Sequence, residues 1–179
     1  MGLPTQTTKP IARSCAVRYS SAMMQQDDVK VSVYKERRRL ELWCGDTLRM
    51  ACPVVLGRKP TGPKRASGDG RTPEGQYAVC TRNDKSKYHR ALGLNYPNAQ
   101  DARLALAEGR LPADQAQRIQ DSIAAGVRPP WDSALGGEIM IHGGGVDGDW
   151  TAGCIALENV DMDALWELCP LGTPVEILP

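Results

Sequence analysis

"IMIHGGGVDGDWTAGCIALEN", residues 139–159, is the stretch on which the reading of this chain turns. Two short apolar runs, "IMIH", within the strand pattern "GEIMIHG" (137–143), and "CIAL", flank a link rich in glycine and aspartate, the pattern of two strand segments joined by a loop. The first run ends at His142, one of only two histidines in the chain, and the second begins at Cys154. Three chemistries fit such a pair: a metal site, a tight structural turn around an inert thiol, or a thiol activated by a base. Structural zinc takes four N or S ligands, and only Asp147 and Asp149 stand between the two residues, so no metal is expected. The turn and the activated thiol both stay open on spacing alone. A thiol attacks as its thiolate, and His142 at a neighbouring strand end is placed to take the proton. The small residues Ala152 and Gly153 would let a substrate carbonyl approach backbone amides able to hold an oxyanion.

Working outward, "NVDMDALWELC" after the second run reads as a helix, with Asn159 a candidate cap and acids in the first turn. "TPVEILP" closes the chain as a strand. Upstream, "VKVSVYK" (29–35) alternates apolar and polar, "RLELWCG" continues the pattern after a basic turn, and "LRMACPVVLG" reads as a third strand with Pro53 at an edge or bulge. "QYAVCT" (76–81) and "YHRALGL" (88–94) are further strands. Between them and the 139–159 stretch, "DARLALAEG" and "PADQAQRIQDSIAAGV" carry helix formers and end in glycine, so 99–126 reads as a helical insertion between strands. The segment 57–75, "GRKPTGPKRASGDGRTPEG", is a long glycine- and proline-rich loop and a candidate functional one. Residues 1–28 are polar and aperiodic and read as a mobile leader. The sum is a strand-rich α+β domain over 29–179.

With 22 basic and 21 acidic side chains, the near-neutral balance of the 179-residue chain does not favour general polyanion binding, nucleic acid included. The basic runs at 35–39 and 57–65 read as a solvated hairpin and loop. No apolar run approaches the ~18 residues of a membrane span, and the first 28 residues lack the apolar core of a signal peptide. Six cysteines without a CxxC pair argue against zinc ribbons and thioredoxin-type sites, and five of the six read as small buried hydrophobes.

"IMIHG" followed by "DWTAGCIALEN" resembles the signature of the L,D-transpeptidase catalytic domain (YkuD) family, a histidine, a variable stretch, then Ser/Thr-His-Gly-Cys. "LGRKPTGPKRASGDGRTPEGQY" resembles the family's upstream "G…TP.G.Y" segment, and "GTPVEI" its closing strand. Ala152 stands where a second histidine is common and Ala156 where an arginine often follows, as in a "DWT.GCIA" branch that includes murein-processing hydrolases. The resemblance implies a β-sandwich or barrel with the helical insertion at 99–126 and a helix after the catalytic cysteine. It implies Cys154 as nucleophile, His142 as general base oriented by a backbone carbonyl, the Gly153 and Cys154 amides as oxyanion donors, and Thr151 and Gly143 as supporting residues.

Arg71 and Thr72 are candidates for shaping the site, though Arg71 fits an internal ion pair as well. Trp150 and Tyr96 are candidates for lining a substrate groove, though either suits the core. His89 reads as a surface or packed residue rather than a second catalytic group. The implied partner is the peptidoglycan stem peptide, attacked at the carbonyl of its third residue. No cofactor, metal or obligate protein partner is implied, and the compartment is the periplasm or cell envelope. Rival expectations are an L,D-carboxypeptidase or endopeptidase on the same site, a wall-binding module without turnover, and a redox-sensing protein.

Overall fold

The computed structural model describes residues 28–179, so the expected leader lies, apart from Asp28, outside the described residues. Strand β1 (Val29–Tyr34) buries Val29, Val31 and Val33. Its Ser32 is covered as well, because β1 lies inside the sheet rather than at an edge. It pairs antiparallel with β2 (Arg39–Cys44), which pairs antiparallel with β3 (Thr47–Pro53). Pro53 falls at the end of β3, on the outer edge of the sheet, where its missing N–H costs no ladder bond.

Beyond the hairpins come β4 (Gly75–Ser86), β5 (His89–Leu94), β6 (Met140–His142), β7 (Ile155–Ala156) and β8 (Pro174–Leu178). The strand order is β3-β2-β1-β8-β4-β5-β6-β7, with the closing strand β8 inserted between β1 (parallel) and β4 (antiparallel). The chain leaving β3 does not end the sheet. Val55 bridges Ala156 and Gly57 bridges Thr151, so the first edge meets β7 at the last edge and the sheet curls on itself. That closure carries the start of the long loop to the residues just before Cys154. Gly57 is required there: a Cβ would sit 2.2 Å from the Gly70 carbonyl oxygen and 3.1 Å from the Gly153 Cα.

Helices α1 (Ala99–Ala107) and α2 (Ala113–Ala124) follow β5, and α3 (Asn159–Leu168) follows β7. A capping box starts α1, in which Asn98 accepts from the Gln100 and Asp101 amides and Asp101 accepts from the Asn98 amide. Ala102, Ala105, Ala116 and Ile119 carry α1 and α2 into the same core as Leu92, Leu94, Ile141 and Ile155. The core is therefore shared between sheet and helices, as the strand-rich α+β expectation requires. No helix among the described residues is long and apolar enough to cross a membrane.

Three expectations need correction. Strand β4 runs to Ser86, well past "QYAVCT"; its polar end, "RNDKS", is exposed on both faces and so carries no apolar alternation to read. Asn159 is the first residue of α3 rather than its cap, and its side chain instead accepts from the Gly144 amide at 2.9 Å, tying the glycine link to the helix. The basic runs are not simply solvated. The Lys35 ammonium is buried and donates to the Gly62 and Thr72 carbonyls and to Glu74 Oε1 (2.7, 3.1 and 2.6 Å), clamping the long loop to the end of β1.

Candidate active site

His142 is the last residue of β6, and Cys154 immediately precedes β7. The two strands are parallel, with Ile141 opposite Ile155 and His142 opposite Ala156. Side chains alternate faces along a strand, so Ile141 and Ile155 enter the core while His142 and Cys154 share the opposite face as diagonal neighbours. Both line one open cleft of about 560 Å³. Its lining includes Lys85, Lys87 and Tyr88 of the β4–β5 hairpin, Lys64, Ser67 and Gly68 of the long loop, residues 136–140, and Trp150 and Thr151.

The imidazole is held in one orientation. Its Nδ1 lies 2.6 Å from the Gly143 carbonyl oxygen. A carbonyl can only accept, so Nδ1 carries the hydrogen and Nε2 keeps its lone pair. Tyr88 stacks on the ring (centroids 4.8 Å apart, planes at 20°), and Trp150 tilts against it at 5.6 Å. Burial lowers the His142 pKa and the nearby Lys87 charge adds to this, against the opposing Gly143 bond, so the ring is neutral near pH 7.

Cys154 is half-buried, and its thiol donates to the Glu138 carbonyl at 3.4 Å. Burial pushes the thiol upward and the Glu138 carboxylate adds to it, while the Met140 amide and the Lys64 ammonium pull it down; the balance lies above the ordinary value. Glu138 adopts φ +54, in the left-handed region, so the extended run starts at Met140 and not at Gly137 as the sequence pattern predicts. Cys52 and Cys169 differ in kind from Cys154: both are sealed in the core, and burial pushes each up to about 12.

The turn before the thiol is locked by Thr151. Its hydroxyl donates to the Cys154 carbonyl (2.7 Å) and accepts from the Gly153 amide (3.1 Å), while its backbone bonds Leu56 and Arg58. The Gly153 amide is thus engaged by the Thr151 hydroxyl in this structure. Gly153 has a different constraint, φ +140 with a would-be Cβ 2.6 Å from the Arg71 carbonyl oxygen. Gly153→Ala is expected to cost about 3 kcal/mol or more, through strain and the forced shift of Arg71. Thermal unfolding should show it as a fall of roughly 10 °C in Tm.

Asp149, one of the two acids weighed as metal ligands, is engaged elsewhere. It takes a two-pronged ion pair from Arg38 (2.7 Å at the closest) and the Leu56 amide at 2.9 Å. Burial would raise its carboxyl, but Arg38 and Leu56 outweigh that and hold it below the usual carboxylate range. This pair pins Trp150 and Thr151 to the first hairpin.

Of the other candidates, Trp150 lines the cleft and donates its indole N–H to the Gly145 carbonyl (3.3 Å). Thr72 does not reach it. It is fully buried, and its hydroxyl accepts from the Gly57 amide. Tyr96 is likewise in the core, edge-on to Tyr77 with its hydroxyl donating to Leu135. The Arg71 side chain runs beside Gly62, outside the cleft lining, and only its carbonyl meets the Cys154 turn. His89 is partly exposed and pairs with Asp163 at 2.6 Å. Sequence reasoning missed Tyr88, Lys64 and Glu138. Tyr88 alone left a signal there, an aromatic amid the polar run "DKSKYHR".

The family model described as the L,D-transpeptidase catalytic domain (YkuD) matches residues 28–177. YafK of Escherichia coli strain K12, provisionally named an L,D-transpeptidase, is 28% identical over 103 residues, which is 54% of this chain and 40% of YafK. Among solved structures, the helical cell shape determining protein Pgp2 from Campylobacter jejuni superposes with a TM-score of 0.58 at 22% identity, covering 84% of this chain and 48% of Pgp2. Bdellovibrio bacteriovorus Bd1075 gives 0.57 at 22% identity, with 84% and 48% covered. At that identity the likeness speaks for the fold alone, and the aligned part is less than half of each of these relatives. The family model spans nearly all of the described residues, and this chain belongs to the L,D-transpeptidase catalytic domain family.

Proposed function

We propose that residues 29–179, with 99–126 as a helical insertion, form a catalytic domain that transfers acyl groups on peptidoglycan stem peptides through a thioester on Cys154. The observation that supports it best is the state of His142, a neutral imidazole with Nδ1 committed to Gly143 and Nε2 free on the face it shares with Cys154. His142 Nε2 takes the thiol proton as sulfur attacks the carbonyl of the third stem residue. With the Gly153 amide engaged by the Thr151 hydroxyl, the Cys154 amide is the donor assigned to the oxyanion. Collapse expels the amine attached to that carbonyl, D-alanine or another, which leaves with the proton from His142. An acceptor amine then attacks the thioester, His142 takes its proton, and the sulfur departs to be reprotonated. Water in place of the amine gives hydrolysis.

No cofactor enters these steps. The compartment that fits the substrate is the periplasm or cell envelope. Purified muropeptides incubated with the protein test the reading: cross-linked or exchanged products with loss of D-alanine are the expected result. Trimmed monomers alone would reassign the site to an L,D-carboxypeptidase or endopeptidase. Sacculus binding with no product at all would sink the enzymatic reading.

A further inference from the structure

We propose that Lys64 reads a carboxylate on the acyl donor, the side-chain carboxylate of the residue whose carbonyl Cys154 attacks; this rests on the acyl-transfer reading above. The Lys64 side chain is 3% exposed, yet it forms part of the wall of the cleft that holds Cys154. An ammonium has three protons. Two of them go to Asp69 Oδ1 (2.8 Å) and the Ala66 carbonyl (2.9 Å), and among the described residues the third has no acceptor.

Asp69, in contrast, is saturated. Besides Lys64 it accepts from the Arg65, Ala66 and Arg71 amides (2.7, 3.1 and 3.1 Å). Burial alone would raise its carboxyl, but those donors hold it below the usual range, so it stays ionised and fixes the ammonium in place. Lys35, which clamps the same loop from the end of β1, supplies a comparison. Its ammonium spends all three protons on the protein, as a strut does. Lys64 is built the same way but for one proton, at the cleft wall.

A buried, pre-oriented cation with a spare donor suits an anionic oxygen that arrives with the substrate. The rest of the cleft agrees in sign, since Arg58, Lys85 and Lys87 line it against the single acid Glu138. Lys64 and Cys154 line the same cleft, so a carboxylate held by Lys64 sits in the cleft where the carbonyl is attacked.

The test compares two tetrapeptides that differ only in that side chain, carboxylate or carboxamide, as acyl donors for wild type, Lys64→Met and Lys64→Gln. Wild type is expected to prefer the carboxylate by roughly 10- to 100-fold in kcat/KM, mostly through KM. Both variants should lose the preference, with the carboxylate peptide losing roughly 10- to 100-fold more than the carboxamide one. Gln keeps a donor for Asp69, so it carries the test if the Met variant does not fold. Equal losses on both peptides, or a preference that survives in the variants, would make Lys64 a strut and overturn the proposal. Equal use of both peptides by wild type would overturn it while leaving the thioester chemistry standing. If neither peptide acylates Cys154, the acyl-transfer reading fails and this one with it.

Discussion

Cys154→Ala is expected to fold as the wild type does and to form no covalent adduct with an acylating probe. The sulfur is half-buried and donates one weak hydrogen bond, to the Glu138 carbonyl, so its loss should cost no more than about 1 kcal/mol. Nothing in the core depends on it. The chemistry, on the other hand, has no second candidate in the cleft: Cys154 is the only cysteine among the lining residues, and Cys52 and Cys169 are sealed with thiols pushed up to about 12. Intact-mass measurement after incubation with a carbapenem should show one adduct on wild type and none on the variant. Turnover of muropeptides should fall by on the order of 10⁴-fold or more. An adduct of unchanged yield on Cys154→Ala would mean that the thiol chemistry has been placed on the wrong residue.

How much of this was open to a reader of the sequence depends on how local each signal is. The His142 and Cys154 pair is legible because its partners lie on consecutive strand segments, and strand alternation fixes which face each takes. The strand-rich fold is legible for the same reason, in the alternating runs of β1 and β2. Arg38 is not legible: its partner Asp149 lies 111 positions away, and nothing near either residue announces the other. Lys35, Arg38 and Lys64 all look solvated in a linear reading, because a cation's burial depends on acceptors that only the curled sheet assembles. Thr72 fails in the opposite direction. In a loop of glycines and prolines a threonine looks exposed, yet the bridge of Gly57 to Thr151 folds that loop inward and buries it completely. Tyr96 misled in the same way, since an aromatic beside a turn suits groove or core equally until Tyr77 is seen against it.

His142→Ala is expected to change the pH dependence of acylation as well as its rate. In the wild type burial lowers the His142 pKa below the ordinary 6.5, and burial raises that of Cys154 above 9.0. On the proposed mechanism the resting pair at pH 7 is therefore a neutral imidazole and a neutral thiol, and the proton moves only as the sulfur attacks. The sign follows directly: activity is present above pH 6.5 and is lost as pH falls through the depressed imidazole pKa, where His142 takes up a proton and ceases to be a base. The same depression means the unfolded chain binds that proton more tightly, so His142 also withdraws stability over the same acid range. Without the imidazole, only pre-formed thiolate reacts. The variant's rate at pH 7 should drop about 10²- to 10⁴-fold and then climb tenfold per pH unit toward and beyond 9. Ultraviolet absorbance of thiolate supplies the independent check, with no thiolate at Cys154 in wild type at pH 7. A strong thiolate signal there, abolished by His142→Ala, would instead establish a resting ion pair, and the general-base description of His142 would have to be abandoned.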